Sequence, residues 1–108
     1  MTQTLRGKPA IITGGSTELA AAVSLELARE GVQIHLCGRQ MDMLDMAANA
    51  IKADGGSCLT TVSEIDSLEN AEHIVRTTHE HFGGIDLLIL ISPFWSGGNI
   101  HNHNVKSW

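Results

Sequence analysis

The sequence predicts an α/β domain built on a parallel sheet, and two observations carry that prediction. Short apolar runs alternate with stretches of helical spacing in the order β-α-β-α-β-α-β. The apolar runs are nearly continuous, as in strands whose two faces are both covered by helices. Right-handed crossovers then leave few topologies open. A length of 108 residues suits one domain and not two. No repeat or linker divides the chain, so residues 1–108 are read as a single domain.

The elements follow in order. Pro9-Ala10-Ile11-Ile12 is the first strand, with Pro9 tolerated at its entry, and it ends at Thr13-Gly14-Gly15. Leu19 to Arg29 is the first helix, with Leu19, Ala22, Val23, Leu25, Leu27 and Ala28 as its apolar positions and Gly31 as its stop. Val32 to Cys37 is the second strand. Met41 to Ala53 is the second helix, its stripe formed by Met43, Leu44, Met46, Ala47 and Ile51, and Gly55-Gly56 ends it. Ser57 to Val62 is the third strand. Asp66-Ser67-Leu68-Glu69 resembles a capping box that opens a third helix, from about Ser67 to Phe82. Gly83-Gly84 closes it. Asp86 to Ile91 is a strongly apolar fourth strand. Ser96-Gly97-Gly98-Asn99 reads as a loop, and Ile100 to Trp108 shows no clear period.

Composition excludes several functions. With 43% hydrophobic and 18% charged residues the chain can bury a core and is not disordered. The formal charge is -5 and no Lys/Arg cluster occurs, so no nucleic-acid partner is expected. No apolar run reaches the roughly 18 residues of a membrane span. Met1 to Pro9 lacks the apolar core of a signal peptide, which points to a cytoplasmic location. Cys37 and Cys58 lie in apolar runs and are expected to be buried, reduced thiols. Met41, Met43 and Met46 read as core filler, and His35 as a partly buried strand residue. No metal site is expected. His79 and His81 are two apart on a helix and face different directions, and His101-Asn102-His103 has no cysteine nearby.

The first strand-to-helix turn carries the chemistry. It reads Thr13-Gly14-Gly15-Ser16-Thr17-Glu18-Leu19-Ala20. A glycine turn lets a pyrophosphate approach the backbone, and the helix N-terminus beyond it supplies N–H donors and a favourable dipole. This turn resembles the Thr-Gly-x-x-x-Gly-x-Gly motif of the short-chain dehydrogenases/reductases, over a stretch running from about Leu5 to Trp108. Thr13 and Gly14 match. Glu18 stands at the second glycine and Ala20 at the third. Ala20 is a mild change. Glu18 brings a side chain and a negative charge to the place where phosphate would come, and like charges brought together cost on the order of several kcal/mol. The helix dipole favours a carboxylate there by roughly 0.3–1 kcal/mol. Glu18 therefore either fills the anion site itself or faces solvent.

The resemblance implies a partial Rossmann-type, doubly wound sheet of about four strands in the order 3-2-1-4, with three crossover helices. It implies an NADP(H) site formed by Gly14, Ser16, Thr17, Leu19, Arg39, Glu64, Ile65 and Ser92. Arg39 follows the second strand where an arginine meets the 2′-phosphate in NADP-preferring members. Glu64-Ile65 follows the third strand in place of the family's Asp and apolar residue near the adenine. The fourth strand runs into Leu90-Ile91-Ser92-Pro93 where the family has Asn-Asn-Ala-Gly. Glu18, Ala20 and Leu90 all count against cofactor binding.

The family reaction is hydride transfer between NADP(H) and a carbonyl or alcohol. Its acid/base is a tyrosine assisted by a lysine, together with a serine. This sequence contains no tyrosine, so no catalytic residue is assigned. A truncated or partial family member, inactive alone, is the resulting expectation. The alternative is a non-catalytic module acting through self-association or by pairing with a full-length relative. In the implied order the fourth strand is an edge. Leu87 to Ile91 carries no charge, so homo-oligomerisation through it is expected.

Overall fold

A computed structural model describes residues 5–14, 17–63 and 67–91. Its elements are β1 (Pro9–Thr13), α1 (Glu18–Arg29), β2 (Gln33–Gly38), α2 (Met41–Ala53), β3 (Cys58–Val62), α3 (Leu68–Phe82) and β4 (Leu87–Leu90). The four strands are parallel in the order β3-β2-β1-β4. This is the order that the family resemblance implies. Register is set by Ile11↔His35, Ile11↔Leu88 and His35↔Leu59.

The sheet divides the core in two. On one face Ala10, Ile12, Ile34 and Leu36 pack with Leu44, Ala48 and Ile51 of α2 and Ala20 and Ala28 of α1. On the other face α3 lies over Ile11 and Cys37 through Ile74. Successive strand residues point to opposite faces, so β1 and β2 must be apolar throughout. All five residues of β1 are buried.

The helix ends follow local chemistry. Ser67 caps α3, its hydroxyl accepting from Asn70 N–H at 3.1 Å. The predicted capping box is therefore corrected. With Ser67 as the cap, the third helical position is Asn70, so Glu69 is not placed to reach back, and Asp66 lies outside the described residues. At the far end of α1, Arg29 Nε donates to Asp54 Oδ2 at 2.8 Å, a link from α1 to the end of α2. It is exposed and contributes little.

Several core expectations need correction. Met41 and Met46 are exposed, Met46 at 72%. Met43 and Met46 line an open groove between α1 and α2 with Ala21, Leu25 and Ala47. The sheet-facing stripe of α2 is Leu44, Ala47, Ala48 and Ile51. In α1 the fully seated positions are Ala20, Ser24 and Ala28, while Leu19 is 61% exposed. Small side chains let α1 approach the sheet closely, and Ser24 satisfies its hydroxyl on the Ala20 carbonyl at 2.7 Å. Cys37 and Cys58 are buried and form no disulfide. They lie in the clusters on opposite faces of the sheet, so they cannot pair with each other. Burial pushes the Cys58 thiol up to about 11. Among the described residues, no helix is long and apolar enough to cross a membrane.

Candidate functional site

Parallel strands deliver their C-terminal ends to one edge of the sheet. Thr13-Gly14 leaves β1 there, Gly38-Arg39 leaves β2, Val62-Ser63 leaves β3 and Leu90-Ile91 leaves β4. The N-terminus of α1 opens over the same edge. Loops at such an edge are where open α/β sheets take ligands.

Gly14 turns the chain from β1 toward α1. Its φ is +76°, in the left-handed region. A Cβ there would overlap the carbonyl oxygen of Ile91 and stand 2.9 Å from its carbonyl carbon. Ile91 N–H in turn donates to Thr13 O at 3.2 Å. The turn after β1 and the exit from β4 are thus in direct contact, and only a glycine fits between them.

Thr17 is the N-cap of α1, with extended backbone at φ −111° and ψ 158°. Its hydroxyl accepts from Ala20 N–H at 3.1 Å and donates to Gly14 O at 3.0 Å. The third helical N–H is therefore occupied by the cap. Among the described residues the N–H groups of Glu18 and Leu19 have no acceptor. The first N–H groups of a helix have no partner within it, and here they are those of Glu18 and Leu19 at the strand-exit edge. Glu18 is the first helical residue and is exposed. Ala20 is fully buried, so the methyl at the family's third glycine is accommodated where α1 meets the sheet.

Arg39 is exposed and directly follows β2 at the same edge. The structure thus brings Gly14, Thr17, Leu19 and Arg39 to one edge. Ser16, Glu64, Ile65 and Ser92 lie outside the described residues. Leu90, at the family's first asparagine, is 52% exposed. Among the described residues, no three His, Cys, Asp or Glu side chains converge as metal ligands. His101 and His103 lie outside them.

One polar cluster is invisible in the sequence. His35 is fully buried, not partly buried as expected. Thr78 Oγ1 donates to Ile74 O at 2.7 Å, the usual back-bond of a helical threonine. Its one proton is thereby used, so at 2.6 Å it accepts from His35 Nδ1–H. His35 Nε2 then accepts from the Thr61 hydroxyl at 2.7 Å. Every polar atom of the imidazole is satisfied in its neutral form. Burial, and secondly the positive charges available to His73 and His81, lower its pKa from 6.5 to about 4. A lone histidine in an apolar strand gives no hint of threonines far along the chain, so nothing in the sequence pointed to this triad.

Comparison with known proteins agrees with the geometry. The short chain dehydrogenase family model matches residues 8–108. Glycine betaine reductase ATRR of Emericella nidulans is 33% identical over 104 residues, which cover 96% of this chain and 8% of that protein. L-Sorbose reductase of Gluconobacter frateurii, solved with NADPH and L-sorbose, superposes with a TM-score of 0.80 at 30% identity. It covers 100% of this chain, which corresponds to 41% of the reductase. NAD+-bound xylitol dehydrogenase superposes with a TM-score of 0.73 at 28% identity, over 79% of this chain and 33% of that one. This chain spans less than half the length of each of these relatives. A four-stranded parallel sheet in the order β3-β2-β1-β4, a glycine turn under the N-terminus of α1, and a family match over nearly the whole sequence agree: the chain belongs to the short chain dehydrogenase family.

Proposed function

We propose that this chain is the nucleotide-binding portion of an NADP(H)-dependent oxidoreductase. The observation that carries the reading is the set of donors at the strand-exit edge: the open N–H groups of Glu18 and Leu19 above the Gly14 turn, with Arg39 at the end of β2. The helix N-terminus would receive the pyrophosphate, and Arg39 the 2′-phosphate through its planar fork of donors. Solved relatives carrying NADPH or NAD support a nucleotide at this edge. The nicotinamide supplies hydride to, or takes it from, a carbonyl or alcohol carbon. Proton transfer to the substrate oxygen needs a group that this tyrosine-free chain does not contribute, so the chain does not complete the reaction alone. Buried cysteines outside any disulfide suit a reducing cytoplasm.

Calorimetric titration with NADPH, NADH and ADP-ribose tests the reading. Saturable binding with NADPH tighter than NADH is expected. Glu18→Gly removes the carboxylate and is expected to tighten NADPH at least about tenfold, the equivalent of roughly 1.4 kcal/mol. No binding at millimolar ligand by either protein would overturn the proposal.

A second reading rests on β4. It is the edge of the sheet, and Leu88 and Leu90 on its α3 side are 56% and 52% exposed. Exposed apolar edge strands associate. Pairing of β4 with β4 across a twofold axis would extend the sheet between two copies. Light scattering at tens of micromolar should then report a dimer, and Leu88→Lys with Leu90→Lys a monomer. A monodisperse wild-type monomer defeats this reading.

A further inference from the structure

The His35 triad joins three elements at one buried point: β2 through His35, β3 through Thr61 and α3 through Thr78. The element most dependent on it is α3. On its inner face only Ile74 and Thr78 are buried, whereas α2 buries Leu44, Ala47, Ala48 and Ile51. One of the two anchors of α3 is thus the acceptor of the His35 Nδ1–H. The cluster around Ile74 is also the smaller of the two in the core.

The triad is complete only when the imidazole is neutral. A proton taken up at Nε2 would face the Thr61 hydroxyl, which would have to turn from donor to acceptor. Among the described residues the titratable groups that act on His35 are His73 and His81 of α3, and both oppose its protonation. β1 presents Ile11 at this level and β3 presents Thr61, neither of which titrates. On opening, the imidazole reaches water and accepts the proton freely.

We infer that His35 is a pH-sensitive latch on α3: the neutral imidazole holds the helix against β2 and β3 through Thr78 and Thr61, and acidification releases the helix ahead of the sheet. A group whose folded-state affinity for protons is depressed stabilises the closed state fully above its free pKa. That stabilisation is lost as pH falls from about 6.5 toward about 4. Because α3 begins just beyond the exit of β3, its release also disturbs the strand-exit edge on the β3 side.

Amide hydrogen exchange on the whole chain at pH 7 and pH 5, corrected for intrinsic rates, reads the latch. Protection of α3 amides is expected to lie below that of β1 and β2 amides at both pH values and to fall about 20-fold between them, the ratio implied by a free value of 6.5 and a bound value of about 4. His35→Gln retains one donor and one acceptor without a titrating ring and should abolish the change. Equal protection of α3 and β1 amides at pH 5, or a drop that persists in His35→Gln, overturns the latch. The wild-type imidazole gives an independent readout that needs no variant. Its nitrogen chemical shifts at pH 6 should be those of the neutral Nδ1–H tautomer, and an imidazolium or an Nε2–H tautomer there would refute the proposal.

Discussion

Gly14→Ala is expected to lower stability by about 2–5 kcal/mol, a large share of the roughly 5–15 kcal/mol that keeps a domain folded. Two costs combine. An alanine forced into the left-handed region loses roughly 1–2 kcal/mol. Overlap with the Ile91 carbonyl forces a backbone shift at the end of β4, and overpacking of this kind costs roughly 1–3 kcal/mol. Gly55 separates the two. Its φ is +87°, yet a Cβ there meets nothing within 4 Å. Gly55→Ala should therefore show the conformational cost alone, about 1 kcal/mol. Urea denaturation monitored by circular dichroism compares the pair. Equal midpoints for the two variants would mean that the Ile91 contact carries no weight.

Ile74→Ala is the second large effect, expected at about 3–4 kcal/mol. Ile74 is fully buried between Ile11 and Cys37 and is the one large apolar side chain that α3 inserts fully into the core. Removing three carbons leaves a cavity that the rigid sheet cannot close. Val75, the next residue, is 45% exposed, so Val75→Ala should cost well under 1 kcal/mol. The loss in Ile74→Ala should also be regional. Exchange protection should fall in α3 first, because the cluster beneath α1 and α2 does not include Ile74. A uniform loss across the sheet would show that the two clusters melt as one.

The fold was legible in the sequence because periodicity and turn residues agree. Four apolar runs and three helical stripes, punctuated by glycines, leave a parallel sheet as the consistent solution, and the glycine turn after β1 ties it to a family. The elements deviate from expectation by a residue or so at their ends. Hydrophobicity and burial part company in the helices. Leu19, Met41 and Met46 are apolar yet exposed, while Ala20 and Ser24 occupy the buried rows of α1. Helical phase, and the need for close approach to a sheet, decide this more than side-chain size. The places of four candidate site residues in the fold were legible as well. Gly14, Thr17, Leu19 and Arg39 meet at one edge because strand ends and helix starts are local features. The Gly14–Ile91 contact and the His35 triad join residues far apart in sequence, and no local pattern reports such meetings.

The order β3-β2-β1-β4 also has a consequence for synthesis. β1 is made first but stands second from the edge, between β2 and β4. Its β2 side is satisfied after one helical crossover. Its other side waits until Leu87 to Leu90 have emerged, since Ala10 pairs with Leu87 and Thr13 with Leu90. On the ribosome the backbone donors and acceptors of Ile11 and its neighbours along that side stay open through the making of two further helices and a strand. A growing chain of this kind passes through a stage in which a strand destined to be wholly buried offers a bare edge. That is the stage at which a chaperone, or another nascent chain, finds the most to hold.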